Sequence, residues 1–308
     1  MIKYIFKRMV MMILTLLIIA VLVFFLMHAI PGGPFTAQRE LPAEVEKALM
    51  EKYNLDDSLP KQLINYIGGL LKGDLGPSFK YPGMRVNDFI REGFPVSARL
   101  GLITIIFVLA ASIPMGIVAA LKNGRWQDVL SMIIATIGVT IPSFVIATLL
   151  MYLFSHKLGW LPAFGFDKPT GYILPVIALG GYAMSFLARL MRSSLLEVMG
   201  QDYIRTARAK GLSEFKVVVR HALRNAMIPV VTVLGPTIAA LLTGSFVIEK
   251  IFALPGMGKH FVTSITNRDY TTILGITIFY ATFLIVMVFL VDMFYLIIDP
   301  RIKYEDGN

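Results

Sequence analysis

Residues 9–30 read Met9-Val-Met-Met-Ile-Leu-Thr-Leu-Leu-Ile-Ile-Ala-Val-Leu-Val-Phe-Phe-Leu-Met-His28-Ala29-Ile30, without one Asp, Glu, Lys or Arg. As a helix rising 1.5 Å per residue, this run covers about 33 Å, enough to cross a hydrocarbon layer about 30 Å thick. A backbone group left unsatisfied in hydrocarbon costs several kcal/mol, so a spanning segment must be a helix or part of a closed barrel. The apolar residues are continuous rather than alternating, which selects the helix. Five further runs read the same way: Ser97–Leu121, Val129–Phe154, Tyr172–Leu190, Ala226–Ile248 and Thr272–Ile298. Lys3, Lys7 and Arg8 precede the first run as in a secretory signal. Its apolar core is longer than the 7–15 residues of such signals, however, and Met27-His28-Ala29 is a poor cleavage site. The run is therefore expected to be retained as a span.

The whole chain agrees with that reading. Of its 308 residues, 56% are hydrophobic and only 16% charged, with no cysteine and a net charge of +9. Soluble domains carry about 45–50% apolar and about 25% charged residues. A mean hydropathy of +0.71 points the same way. Disorder, a collagen-like fibre and a disulfide scaffold are excluded, and a soluble enzyme is disfavoured. The expected fold is an all-α polytopic membrane protein with six transmembrane helices and a small external domain between the first and second.

Six spans put both termini on one side, and the basic residues say which. With that side cytoplasmic, Lys3, Lys7, Arg8, Lys122, Arg125, Arg301, Lys303 and eight Lys/Arg between Arg189 and Arg224 face inward. The short outer loops hold only Lys157, Lys168, Lys250, Lys259 and Arg268. The loop 31–96 is too long to be weighed by the positive-inside rule. The domains expected are thus 1–30 (cytoplasmic N-terminus and first span), 31–96 (external), 97–298 (spans two to six, with a cytoplasmic loop over 189–225) and a cytoplasmic tail 299–308. Leu41–Tyr53 and Pro60–Leu71 have helical spacing, and Gly73–Met84 is turn material. The positive charge is read as topology, and no nucleic-acid partner is expected.

Chemistry is sparse. His28, His156, His221 and His260 are scattered, with no zinc-ligand spacing, so no metal site is expected. Gly256-Met257-Gly258-Lys259 lacks the first glycine of a phosphate-binding loop, where Ala253 stands, and is followed by His260 instead of Ser or Thr. No ATPase or other catalytic motif is present, so this chain is not expected to be an enzyme. Asp292 lies in the sixth span and is expected to partner Arg189 or Arg192 at the inner face, with a role as an ion-coupling group as the alternative. Arg99 snorkels to the outer interface. Pro114, Pro142, Pro229 and Pro236 interrupt spans two, three and five. Such breaks serve kinks and close packing, and they also suit helices around a changing cavity.

The loop holds Gln201-Asp202-Tyr203-Ile204-Arg205-Thr206-Ala207-Arg208-Ala209-Lys210-Gly211-Leu212-Ser213, and from Arg220 continues His221-Ala222-Leu223-Arg224-Asn225-Ala226. Asp202–Lys210 is helix-permissive, Gly211 is placed to end that helix in a left-handed turn, and Ser213 to cap a second helix running into the fifth span. Leu212, apolar beside the turn, suits docking into a groove.

This segment resembles the EAA loop of ABC importer permeases. Arg205-Thr206-Ala207 stand at the Glu-Ala-Ala positions and Gly211 at the glycine. Arg and Thr replace Glu and Ala, and Arg224 replaces the usual proline, as in the peptide and nickel permeases. The resemblance spans nearly the whole chain. It includes His28-Ala29-Ile30-Pro31-Gly32-Gly33-Pro34-Phe35, Gly73-Asp74-Leu75-Gly76-Pro77-Ser78-Phe79-Lys80-Tyr81, Ile141-Pro142-Ser143-Phe144-Val145, Thr243 to Glu249, Leu254 to Gly258, Asn267-Arg268-Asp269-Tyr270 and Ile298 to Tyr304. Together these are similar to the oligopeptide permease B-subunit family.

That likeness implies a type I ABC importer permease fold and one half of the translocation pathway of an oligopeptide importer. It implies as partners a second homologous permease subunit, two cytoplasmic ATPase subunits, an extracytoplasmic peptide-binding protein and the oligopeptide substrate. ATP and Mg belong to the ATPases, with no cofactor in this chain. Asp202, Arg205, Thr206, Ala207, Ala209, Gly211 and Leu212 are the implied coupling residues. Glu249, Pro255, Gly256, Arg268 and Asp269 are candidates to meet the binding protein, with a structural cap as the alternative for the outer domain. Dipeptide or nickel transport by the same family, an ion-coupled carrier, and a non-transporting scaffold remain the competing readings.

Overall fold

The computed structural model describes residues 2–30, 33–35, 43–166 and 168–298. The tail 299–308, with Arg301 and Lys303, lies outside the described residues, as do Pro31-Gly32 and the side chain of Asp292. Among the described residues the chain is helical, in the order α1 (Ile2–His28), α2 (Ala43–Lys52), α3 (Leu59–Leu71), α4 (Val86–Leu121), α5 (Trp126–Thr140), α6 (Ser143–Leu150), α7 (Ile173–Met199), α8 (Asp202–Ala209), α9 (Glu214–Lys216), α10 (Leu223–Leu242), α11 (Phe246–Ile251), α12 (Met257–Asn267) and α13 (Tyr270–Ile298). Among the described residues five helices are long and apolar enough to cross a membrane, or up to six spans if one bent pair counts as a single span.

That bent pair corrects the third expected span. In place of one helix over Val129–Phe154, α5 and α6 with its π-helical extension Met151–Lys157 meet at 110°. The ring of Pro142 disfavours helical geometry at the residue before it, although Pro114, Pro229 and Pro236 are accommodated inside α4 and α10. Ile141 is accordingly extended (φ −87°, ψ 126°), and Pro142 becomes the N-cap of α6. The fourth span, read as 19 residues over Tyr172–Leu190, is instead part of a 31-residue segment, Pro169–Met199. The second span begins earlier than its apolar run, because Asp88 Oδ2 accepts a bond from the Arg85 amide (2.9 Å) and starts α4 outside the apolar stretch.

The chain divides into two compact units, Met1–Ser97 with Leu254–Phe289, and Ala98–Ala253 with Leu290–Asn308. In the first, Val86, Met257 and Ile276 form a buried cluster with Leu75, Ile90, Phe94, Phe261 and Phe279 packed on it. Asp269, with no exposed surface, is its polar hub. Its carboxylate accepts from the Ser78 hydroxyl, the Phe79 amide (3.1 Å), and the Thr272 amide (3.4 Å) and hydroxyl (2.8 Å). Asp74 is held by Arg85. Burial opposes ionisation of Asp74, but the Gly76 amide and the Arg85 guanidinium outweigh it and keep the carboxyl below its ordinary pKa.

The second unit is built around α7. Small residues let other helices reach its backbone, the packing that serves helices in lipid, where apolar side chains gain nothing by leaving the bilayer. A Cβ on Gly116 of α4 would stand 2.7 Å from the Ala188 carbonyl, and one on Gly138 of α5 would stand 2.8 Å from the Gly181 carbonyl. Buried Ser194 donates to the Ala226 carbonyl at 2.9 Å, tying α7 to α10. The expected pairing of Asp292 with a basic residue falls on a side chain outside the described residues, and of its two candidate partners Arg192 already has partners of its own. Its guanidinium binds the buried Asp128 carboxylate through two bonds of 2.6 and 2.7 Å and reaches Asn123 at 2.9 Å. Arg189 donates to Thr136.

Candidate coupling site

The loop between α7 and α10 opens with an amphipathic helix, α8, on a bed. Asp202, Arg205, Thr206 and Ala209 recur at i, i+3, i+4 and i+7, and all are exposed. Ile204 and Ala207, on the opposite face, are buried in a cluster with Leu187, Met191 and Leu195 of α7 and Ala226 and Val230 of α10. Asp202 in the first turn and Arg208 in the last complement the helix dipole. Asn225 Nδ2 of α10 donates to Tyr203 Oη at 2.7 Å and fixes the helix from its side.

The end of α8 follows from Gly211. The Gly211 amide bonds the Arg208 carbonyl (2.9 Å) and the Leu212 amide bonds that of Ala207 (3.4 Å), the two reversed bonds of a Schellman motif. The motif needs a left-handed residue at its turn, and Gly211 has φ +77° with open space where a Cβ would stand. Across the turn Arg208 Nε pairs with Glu214 Oε1 at 2.6 Å. Ser213 occupies the N-cap position of α9, as expected, but its side chain makes no capping bond. The π-helical turn Val217–Ala222 then leads into α10.

The expected coupling residues therefore separate. Asp202, Arg205, Thr206, Ala209 and Gly211 present one surface. Ala207 is 6% exposed and serves the bed. Leu212 is half-buried on the same cluster instead of standing free for a groove. The most exposed large apolar group of the loop is Phe215, with 76% of its surface accessible. The signal for it was present in the sequence, a lone aromatic among Ser213, Glu214 and Lys216.

The outer candidates separate too. Glu249 and Asp269 are fully buried and Gly256 is buried, so none of the three offers a surface to a docking protein. Pro255 is exposed and Arg268 half-buried. Arg268 takes a left-handed conformation (φ 55°) at the end of α12. In α12 the His260 ring stacks on Phe89, with centroids 5.0 Å apart. Burial, and then Lys259, push its pKa below the ordinary imidazole value against the pull of Glu92. Among the described residues no group of three or more His, Cys, Asp or Glu is placed to hold a metal ion.

The family described as "Binding-protein-dependent transport system inner membrane component" matches residues 112–304. Its N-terminal companion matches residues 1–100. The dipeptide transport system permease protein of Bacillus subtilis (strain 168) is 49% identical over 301 residues, 98% of each chain. The oligopeptide transport system permease protein of Haemophilus influenzae is 46% identical over 307 residues, 99% of this chain and 100% of its own. That of Escherichia coli (strain K12) is 42% identical over 306 residues, again 99% and 100%. A crystal structure of an amino acid ABC transporter with histidines superposes with a TM-score of 0.52 at 15% identity, covering 68% of this chain and 93% of that one. The likeness is of fold, and the fold is that of an ABC importer permease. A charged helix bedded on two spans, a small-residue helix core and these full-length relatives lead to one conclusion: the chain belongs to the binding-protein-dependent transport system inner membrane component family.

Proposed function

We propose that this chain is the transmembrane permease subunit of an ATP-driven oligopeptide importer, forming half of the translocation pathway beside a second, homologous permease. Two ATPase subunits, which hold the ATP and Mg, meet the α8 surface, and an extracytoplasmic peptide-binding protein delivers the substrate. In this reading both termini are cytoplasmic in the cell membrane, and residues 31–96 and 249–269 face outward. Pro255 and Arg268 are the residues of the original docking set that a binding protein would touch.

The observation that most supports this reading is the exposed Asp202, Arg205, Thr206, Ala209 face of α8, whose other side is buried against α7 and α10. If uptake is driven by ATP, a chain without an ATPase motif receives that energy through contact with another protein. This helix offers such a contact, and its buried side lies in one apolar cluster with the turn Val217–Ala222 and with residues of two spans. Coupling then requires that the outward and inward arrangements bind the ATPases with different free energies.

A second reading, a dipeptide permease, is favoured by the 49% identity to a protein of that name. One reconstitution separates the readings. The chain, with its co-purifying partners, is placed in vesicles and offered a labelled dipeptide and a labelled pentapeptide. Uptake of the pentapeptide that requires ATP on the cytoplasmic face is the expected result. Uptake of the dipeptide alone selects the second reading. Uptake that survives ATP removal and stops with an uncoupler would select an ion-coupled carrier.

A further inference from the structure

Helix α3 shows three different faces. Gln62 and Tyr66, one turn apart, face α1: Gln62 Oε1 lies 3.2 Å from His28 Nε2, and the Tyr66 ring stacks on Phe24 with centroids 6.4 Å apart. Lys61 and Asn65 are exposed and polar, and Lys61 pairs with Asp57 at 2.8 Å. The third face is apolar. Ile64 is 69% and Leu71 85% exposed, with Ile67 between them at helical spacing. Leu71 has the largest exposed fraction of any large apolar residue described, and α3 has no buried residue. A strip of three large aliphatic residues is what an interfacial helix buries in a bilayer.

The depth of α3 is set by α1. The charge-free part of α1 begins at Met9, after Lys7 and Arg8, and runs to the helix end at His28. Its length of about 30 Å matches the hydrocarbon thickness, so its last turn lies at the boundary with the headgroups. The His28–Gln62 and Phe24–Tyr66 contacts hold α3 against that last turn, at the same level. The final turns of α1 themselves expose Leu22, Phe25 and Leu26, an apolar surface next to which α3 lies. Lys72, exposed one residue past the helix, is suited to reach a phosphate headgroup.

We propose that α3 is an interfacial helix whose Ile64, Ile67 and Leu71 strip lies in the leaflet at the C-terminal end of α1, with Lys61 and Asn65 in water. The helix pins the segment around it to the membrane surface and fixes its height. This holds whichever way round the chain sits in the membrane and whatever it transports.

The absence of native cysteine makes the test direct. Single-cysteine variants I64C, I67C, L71C, K61C and N65C of the full chain, with its co-purifying partners, are labelled with an environment-sensitive fluorophore. They are reconstituted in vesicles of phosphatidylethanolamine and phosphatidylglycerol, with and without a lipid carrying a quencher near its headgroup. Emission at 64, 67 and 71 is expected to shift to the blue and to be quenched about twofold or more above that at 61 and 65. Equal, red-shifted and unquenched emission at all five positions overturns the proposal, because the strip is then solvated. Blue emission at 64, 67 and 71 without lipid quenching also overturns it, because protein then covers the strip.

Discussion

Replacing Gly211 tests whether the turn after α8, and not merely its charge, transmits force. In the native turn φ is +77° and nothing lies within 4 Å of a would-be Cβ, so substitution acts through the backbone alone. Holding an L-residue in that region costs about 1–2 kcal/mol, less for Asn, whose side chain tolerates it. Gly211→Ala therefore lowers the population of the native turn relative to its alternatives by a factor of about 5–30 at most. Attachment of the ATPase weakens by no more than that, since apparent affinity scales with the competent fraction. Gly211→Pro acts differently. It fixes φ near −65°, deletes the amide that bonds the Arg208 carbonyl at 2.9 Å, and disfavours the near-helical conformation of Lys210 (φ −74°, ψ 3°) before it. The motif is lost. ATP-driven uptake by reconstituted variants is expected to follow the order Gly, Asn, Ala, with Pro inactive and the binding protein's affinity for peptide unchanged. Normal uptake by correctly inserted Gly211→Pro protein would refute the coupling role of the turn. Equal loss in all three variants would instead place the defect in a clash with the partner.

Three further outcomes are expected. Phe215→Ala removes a largely exposed aromatic from the loop and should weaken ATPase binding about tenfold, the effect of an interface anchor, without lowering the melting temperature of the isolated chain; an unchanged titration of ATPase onto the purified subunit would show that Phe215 takes no part. Asp269→Ala strands the Ser78, Phe79 and Thr272 donors and should cost about 3–5 kcal/mol of stability, read as a fall in melting temperature; lost uptake with an unchanged melting temperature would return Asp269 to the docking surface. Because the pKa of His260 is depressed below 6.5 in the folded chain, its neutral form is favoured by folding. Its contribution to stability is then complete above about pH 6.5 and disappears as pH falls through the lower native value. His260→Gln should flatten that part of the pH–melting curve, and an unaltered curve would count against the burial argument.

The sequence was most legible where one periodicity ruled. Uninterrupted apolar runs marked the spans, and Gly211 marked the end of α8, because lipid and left-handed backbone each admit few residue types. It was less legible where two local preferences competed. Apolar content carried the third span straight through Ile141, yet the pre-proline restriction there outweighs it and turns the chain by 110°. Contact between distant residues was not legible at all. Asp128 and Arg192, 64 positions apart, pair with each other, and nothing in the local sequence of either announces the other. Burial misled for the same reason. Glu249 and Asp269 read as loop carboxylates because they stand at the two ends of the outer loop between the fifth and sixth spans, and only the folded chain encloses them.

Under the proposed coupling, the bed under α8 also decides which spans would respond to an ATPase. A helix that merely pressed on the chain leading into α10 would tilt that span alone. Ile204 has no exposed surface and shares its cluster with Leu187, Met191 and Leu195 of α7 as well as Ala226 and Val230 of α10. Lifting α8 away exposes an isoleucine, at about 1.5–3 kcal/mol. It also breaks the bond from Asn225 to Tyr203, a loss of about 1 kcal/mol. A cost of that order favours α8 moving together with α7 and α10 over swinging independently. Since α7 meets α4 and α5 through glycines that leave no spare space, its displacement cannot be absorbed by small adjustments of side chains at Gly116 or Gly138. The motion has to be taken up as a shift of whole helices, which is the kind of discrete rearrangement that alternating access demands.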